Sequence, residues 1–113
     1  MMQIREQMKA DLTRAMKARQ THVVEALRSV LGAIDNAEAV PITSTTWVEP
    51  APGQRNEAPR KVLSADDIRQ IVQREVDERR AASRNYTNLQ QLDEAAQLAQ
   101  AADLIAAYLG EQA

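Results

Sequence analysis

Residues 40–63 read VPITSTTWVEPAPGQRNEAPRKVL and contain all four prolines of the chain. Proline has no backbone N–H and clashes with the preceding helical turn, so a helix interior tolerates it poorly. This segment therefore predicts a long loop without helix, with room for a short extended piece around residues 42–48. The rest of the chain contains no proline, and both flanking segments are free to form long uninterrupted helices.

The composition indicates one small helical domain. The chain has 113 residues, of which 44% are hydrophobic and 3% aromatic, so its core must consist of aliphatic side chains and many alanines. Alanine is the best helix former and is depleted in strands. A chain of this length buries roughly two-thirds of its surface on folding, which is enough for one modest core. We expect a single domain over residues 1–113.

Apolar residues recur at steps of three and four on both sides of the proline-rich segment, which is the period of a helix face. The pattern predicts four helices over about 3–19, 21–39, 64–86 and 88–109. The expected core positions are Ile4, Met8, Leu12, Ala15, Met16, Val23, Leu27, Val30, Leu31, Ile34, Ile68, Ile71, Val72, Val76, Leu89, Leu92, Leu98, Ala102, Ile105 and Leu109. We therefore predict an all-α fold of two helical hairpins that form a small four-helix domain, with a long Pro-rich loop between helices 2 and 3.

Helix ends are marked by local signals. Thr21 is the predicted N-cap of the second helix. Ser64 followed three residues later by Asp67 predicts a capping box at the start of the third helix, and Gly110 predicts a left-handed stop after the fourth. Gly32 lies inside the second helix at a cost of about 1 kcal/mol relative to alanine. Either a neighbouring helix approaches closely at Gly32 and requires glycine, or the helix is simply less stable than it would be with alanine.

The sequence contains no recognisable catalytic or metal-binding arrangement. It has no cysteine, which excludes thiolate sites, and its only histidine, His22, has no carboxylate cluster near it in the sequence with which to form a metal site or a Ser-His-Asp triad. Its three glycines lie far apart, which excludes a Walker loop and a dinucleotide fingerprint. The carboxylates of Glu75, Asp77 and Glu78 are flanked by arginines and predict surface pairing. We expect no catalytic residue, no cofactor and no metal.

Nucleic acid is a partner that the residues leave open, although the net charge of −2 is not that of a generally basic protein. Two groups of basic residues on the predicted helices are suited to neutralising phosphates. The candidate nucleic-acid-binding residues are Lys17, Arg19, Arg28, Arg79, Arg80 and Arg84. Few aromatic residues are present for base stacking, so contact with the shape of a folded RNA is favoured over sequence-specific single-strand recognition.

Trp47 is the only tryptophan of the chain and lies in the Pro-rich loop. A lone tryptophan in a loop either packs back on the helices or contacts a partner, and both alternatives remain open. Trp47 is therefore a candidate partner-binding residue.

The N-terminal residues and the hydropathy pattern predict where in the cell the protein is located. Charged residues occupy the positions where a signal peptide has its apolar run, and no run of about eighteen apolar residues occurs. We expect a cytoplasmic protein without membrane contact.

Six short motifs occur in an order that resembles the YqeY family. They are MKAR at 16–19, LR at 27–28, NAE at 36–38, LSADDI at 63–68, REVDERR at 74–80 and ADLIAAYL at 102–109. The resemblance covers about 3–39 and 63–112. YqeY proteins are themselves similar to the C-terminal helical and tail region of GatB, one of the subunits of the aspartyl/glutamyl-tRNA amidotransferase.

The chain departs from this family at two places. Relatives join the second and third helices by a short charged linker, whereas here the Pro-rich segment intervenes. They also read Tyr-Leu-Pro where this chain reads Tyr108-Leu109-Gly110, and they continue into a second small helical domain. We expect that domain to be absent.

The resemblance implies a non-catalytic accessory or binding module related to tRNA-dependent amidation. Its implied partners are tRNA, or a complex of the amidotransferase or of an aminoacyl-tRNA synthetase. The family is associated with carbon–nitrogen ligation that uses glutamine as amide donor, but the catalytic sites of the amidotransferase lie outside the matching region, so no catalytic residue carries over. The competing hypothesis is a protein-interaction or self-association module that binds no RNA.

Overall fold

The computed structural model describes residues 3–39 and 62–110. Within these ranges the chain forms four α-helices and no β-strand. They are α1 (Ile4–Lys17), α2 (Thr21–Glu38), α3 (Ala65–Asn88) and α4 (Leu92–Gly110). The predicted all-α fold of two helical hairpins is confirmed. The predicted Pro-rich loop, including Trp47, lies outside the described residues except for its last two positions.

The helices pack chiefly as two pairs. α3 packs along α4, and α1 packs along α2. The two hairpins meet through α2, which contacts both α3 and α4, and through a smaller contact between α1 and α3. The backbones of α1 and α4 approach each other less closely than those of any other helix pair. A gap between these two helices is therefore a feature of the fold.

One hydrophobic core joins the two hairpins. Its fully buried large side chains are Met8, Leu27, Val30, Ile34, Val72, Val76 and Ile105. All of these lie on the predicted apolar stripes, and burial of each contributes roughly 1.5–3 kcal/mol. The core takes no residue of α3 beyond Val76 and none of α4 before Ala101. The distal part of the second hairpin therefore lies outside the core.

Three residues predicted to be in the core are exposed. Leu89 and Leu92 keep 65% and 64% of their surface, because they lie at the tip of the second hairpin, beyond the reach of the first hairpin. Met16 keeps 49%, since Ala15 is the residue that its helical turn buries. Tyr108, which the stripes did not include, is buried in the core.

The capping box at the start of α3 is confirmed. The Ser64 hydroxyl accepts from the backbone N–H of Asp67 at 3.0 Å, and the Asp67 carboxylate accepts from the backbone N–H of Ser64 at 3.0 Å. Two other predictions about helix ends are wrong. The N-cap of α2 is Gln20, whose side chain makes no capping bond, and Gly110 is the last residue of α4 without a left-handed φ.

The turn between α1 and α2 is a Schellman motif. Arg19 has a left-handed backbone, with φ 58°. Its N–H donates to the Met16 carbonyl at 3.2 Å, and the N–H of Gln20 donates to the Ala15 carbonyl at 2.9 Å. These bonds satisfy two of the carbonyls that the end of α1 leaves without a helical partner.

The turn between α3 and α4 repeats this arrangement. Gln90 has φ 62°, its N–H donates to the Thr87 carbonyl at 3.0 Å, and the N–H of Gln91 donates to the Tyr86 carbonyl at 2.9 Å. The break between the helices thus falls at residues 89–91, slightly later than the predicted break near residue 87.

The open end of the first hairpin is closed by an ion pair. The Arg5 guanidinium donates to both carboxylate oxygens of Glu38, with Nη1 at 3.0 Å from Oε2, and lies 3.5 Å from Asp35. The hydrogen bond with Glu38 raises the pKa of Arg5 above its ordinary value. The pair fixes the first turn of α1 on the last turn of α2.

Candidate functional site

The six cations predicted to bind phosphate do not form one surface. Their contacts divide them into a group at the α1–α2 turn, one residue between α2 and α3, and two residues on the distal half of α3. They are, in that order, Lys17, Arg19 and Arg28, then Arg79, then Arg80 and Arg84.

The first group, Lys17, Arg19 and Arg28, is called the cationic turn here. All three residues are exposed. Arg28 reaches back toward α1, with its Nη2 3.9 Å from the sulfur of Met16. None of the three forms an ion pair within residues 3–39 and 62–110. Their positive charge is therefore available to an anionic ligand.

The start of α2 and the end of α1 both lie at the cationic turn. A helix N-terminus carries partial positive charge on its unsatisfied N–H groups. The first turn of α2 has neither a side-chain cap nor an acidic residue, and the exposed His22 lies in the same turn. No acidic side chain of this first turn offsets the charge of the three side chains, whereas the carbonyl end of α1 carries the opposite partial charge.

Arg79 is part of the packing between the hairpins. Its Nη2 donates to the Ser29 hydroxyl at 2.8 Å, and its Nη1 donates to the Glu75 carboxylate at 3.0 Å and to the Glu75 carbonyl at 3.1 Å. The side chains of Arg79 and Glu75 are each only 15% exposed. The guanidinium is thus used within the fold, where it ties α3 to α2.

Arg80 and Arg84 lie one helical turn apart on the distal half of α3, and both are exposed. Arg80 lies 3.7 Å from Asp103 of α4, in a pair whose side chains are 48% and 78% exposed. Such a solvated pair contributes little to stability and is readily exchanged for another anion. These two residues stay accessible to a ligand, but on a different surface from the cationic turn.

An open groove of about 600 Å³ lies between α1, the start of α2 and the C-terminal half of α4. Ala10, Ala15 and Ala107 line it. Their short side chains do not bridge the distance between α1 and α4, and this leaves the volume unfilled. The side chains of Leu104 and Val23 form part of the apolar wall.

A polar network lies in this groove. The Tyr108 hydroxyl donates to one carboxylate oxygen of Asp11, and the Arg14 guanidinium donates to the other. Tyr108 is 9% exposed, so its hydroxyl holds the carboxylate in a fixed place. Sequence reasoning missed this site because Asp11 and Tyr108 lie 97 positions apart and belong to no motif.

Neither a metal site nor a membrane span is found among the described residues. Across the parts of the chain that the structure describes, no three side chains of the His, Cys, Asp or Glu type come together as a metal site would require. No helix in those same parts has the length and apolar character needed to cross a bilayer.

These features define a small all-α domain of paired hairpins with a cationic turn and a neighbouring groove. Residues 5–113 match the family model described as Yqey-like protein. The chain belongs to this family, as its sequence motifs predicted. No curated protein and no solved structure matches the chain.

Proposed function

We propose that this protein is a non-catalytic accessory module related to tRNA-dependent amidation, and that it contacts tRNA through the cationic turn. Membership of the Yqey-like family supports the relation to amidation, through the similarity of that family to the tail of the amidotransferase protein GatB. The observation that carries the RNA contact is the set of three exposed cations without an ion-pair partner among the described residues. This role implies a cytoplasmic location.

The proposed contact is electrostatic and follows RNA shape. Lysine and arginine that neutralise phosphates release counterions, so binding weakens as salt rises. Phosphate contacts fix the position of a protein on a nucleic acid without reading its sequence. Arg80 and Arg84 provide a second, separate contact on α3, whereas Arg79 supports the fold. The partner is therefore a folded tRNA, either free or held in a complex of the amidotransferase or of a synthetase.

The test is a titration of the protein with tRNA at several salt concentrations. Each phosphate contact that is removed should lower the salt slope by about one. Lys17→Gln with Arg28→Gln should therefore lower the slope by about two. Arg74→Gln removes an exposed cation of α3 that is not among the proposed contacts and is the matched control, with an unchanged slope expected. Absence of tRNA binding at low salt, or an equal loss in the control, would contradict the proposal.

The alternative function, self-association, is favoured by one observation. Leu89 and Leu92 are both about two-thirds exposed at the tip of the second hairpin, outside the core. The α3 side of this tip carries Arg84, and the first turn of α4 carries Asp93 and Glu94. A two-fold axis at the tip would pair each basic side with the acidic side of the second copy.

Sedimentation velocity decides this alternative. Self-association predicts a mass above 12.6 kDa that falls to the monomer value in Leu89→Gln/Leu92→Gln. Met16→Gln, which changes an exposed side chain on α1, is the control and should leave the mass unchanged. A monomer at all concentrations excludes self-association.

A further inference from the structure

We propose that the groove between α1 and α4 binds a nucleobase that carries an exocyclic amino group, as part of a nucleotide whose phosphate lies on the cationic turn. This inference rests on the proposed function and names the chemical group that would be recognised. It is carried by the size of the groove, by its polar network and by its position next to the cationic turn.

The groove has the dimensions of a ligand site. Its volume of about 600 Å³ falls within the range of roughly 300–1,000 Å³ that small-molecule sites occupy. It is open along one side, so a nucleotide within a longer chain is able to enter. Leu104, Val23 and the alanines provide an apolar wall against which the flat face of a base can lie.

Asp11 supplies the recognition element. A carboxylate only accepts hydrogen bonds and has about four lone-pair sites on its two oxygens. Tyr108 and Arg14 each use one oxygen, which fixes the carboxylate and leaves lone pairs for a further donor. Aspartate accepts from the exocyclic amino group of cytosine, and uracil has a carbonyl oxygen at that position. The groove should therefore distinguish these two bases.

The groove reaches the turn between α1 and α2. Gln20 lines the groove and directly follows Arg19, while Arg14 lies one helical turn before Lys17. Arg14 is 74% exposed, and guanidinium planes are common stacking partners of unpaired bases. A base in the groove thus lies beside the turn that carries Lys17 and Arg19, and this combination matches a nucleotide better than it matches an apolar peptide or a simple anion.

The same chemistry is found in a free nucleotide and in an unpaired nucleotide of RNA. The experiment separates these sources by titrating the protein, observed by two-dimensional amide NMR, with cytidine monophosphate, uridine monophosphate, inorganic phosphate and tRNA. Cytidine monophosphate should shift the resonances of Ala10, Leu104 and Ala107, and it should bind about tenfold more tightly than uridine monophosphate.

Ala107→Trp fills the groove and should abolish these shifts. Ala96→Trp changes an exposed alanine of the same helix outside the groove, and it should bind like the parent protein. Circular dichroism of both variants checks that they fold. If the source is RNA, Ala107→Trp also weakens tRNA binding about tenfold, whereas unchanged tRNA binding assigns the groove to a free nucleotide.

Two results would overturn the inference. One is a set of shifts confined to Lys17, Arg19 and Arg28 that is equal for both nucleotides and for inorganic phosphate, which would leave the cationic turn as a phosphate contact alone. The other is cytidine monophosphate binding that Ala107→Trp does not change. Failure of tRNA to bind, with the groove shifts still present, would instead refute the RNA contact and keep the nucleotide site.

Discussion

Arg19 and Gln90 occupy the same position in the two helical hairpins, and both have a left-handed backbone, with φ 58° and 62°. Each follows the C-cap of its helix and makes the hydrogen bonds of a Schellman motif. Glycine is the usual residue at this position because it has no Cβ. For other residues the left-handed conformation costs roughly 1–2 kcal/mol, so each turn carries an avoidable conformational cost.

Gln90→Gly should therefore stabilise the protein. Relief of the left-handed conformation outweighs the greater freedom of glycine in the unfolded chain, and the free energy of unfolding should rise by about 0.5–1 kcal/mol. Urea denaturation followed by circular dichroism measures it. The control is Gln97→Gly, at an exposed position inside α4 without a positive φ, which should destabilise. Equal effects at the two positions would contradict the explanation.

Gly32→Ala should also stabilise the protein. A Cβ at Gly32 would meet no atom within 4 Å, so among the described residues no helix approaches closely enough to require glycine. Glycine therefore destabilises the helix, and no close contact at this position offsets the loss. Alanine should raise the free energy of unfolding by about 1 kcal/mol. The same denaturation experiment measures the change. A loss of stability would reveal a close contact at this position.

Arg79→Ala should destabilise the fold, because it removes three hydrogen bonds and leaves Glu75 largely buried without its partner. We expect a loss of about 1–3 kcal/mol. Arg84→Ala, at an exposed position of the same helix, should change stability by less than about 0.5 kcal/mol. A double-mutant cycle with Ser29→Ala isolates the bond between the hairpins. Additive losses in that cycle would show that the bond contributes nothing.

Most of the fold could be predicted from the sequence, for local reasons. The stripe through Val72 and Val76 repeats with the helical period, and a period of this kind fixes both the helix and its buried face. Ser64 and Asp67 are close in sequence, so their capping box could be predicted as well. The left-handed residues Arg19 and Gln90 could not, because neither is glycine or asparagine and no turn signal marks them.

Only the types of residue in the candidate site could be predicted from the sequence. The basic residues were identified, but whether a cation is free or paired depends on how the hairpins pack against each other. Arg79 is paired with Ser29, 50 positions earlier, and such a contact has no periodic signature. The groove was missed for the same reason, since α1 and α4 belong to different hairpins and lie at opposite ends of the sequence.

Tyr108→Phe tests the network that fixes Asp11 in the groove. The substitution keeps the buried ring and removes only the hydroxyl that donates to the carboxylate. Asp11 keeps its bond with Arg14, and its side chain is 31% exposed, so water can replace part of the lost interaction and the free energy of unfolding should fall by about 1 kcal/mol.

The matched control for this prediction is Tyr86→Phe at the other tyrosine. No hydrogen bond of the Tyr86 hydroxyl is found within residues 3–39 and 62–110, so its loss should change stability by less than about 0.5 kcal/mol. A second measurement separates stability from positioning. If the hydroxyl holds Asp11 in place for a ligand, Tyr108→Phe also reduces the preference for cytidine over uridine monophosphate, and Tyr86→Phe does not. Equal stability losses in the two variants would show that the hydroxyl of Tyr108 does not hold α4 to α1.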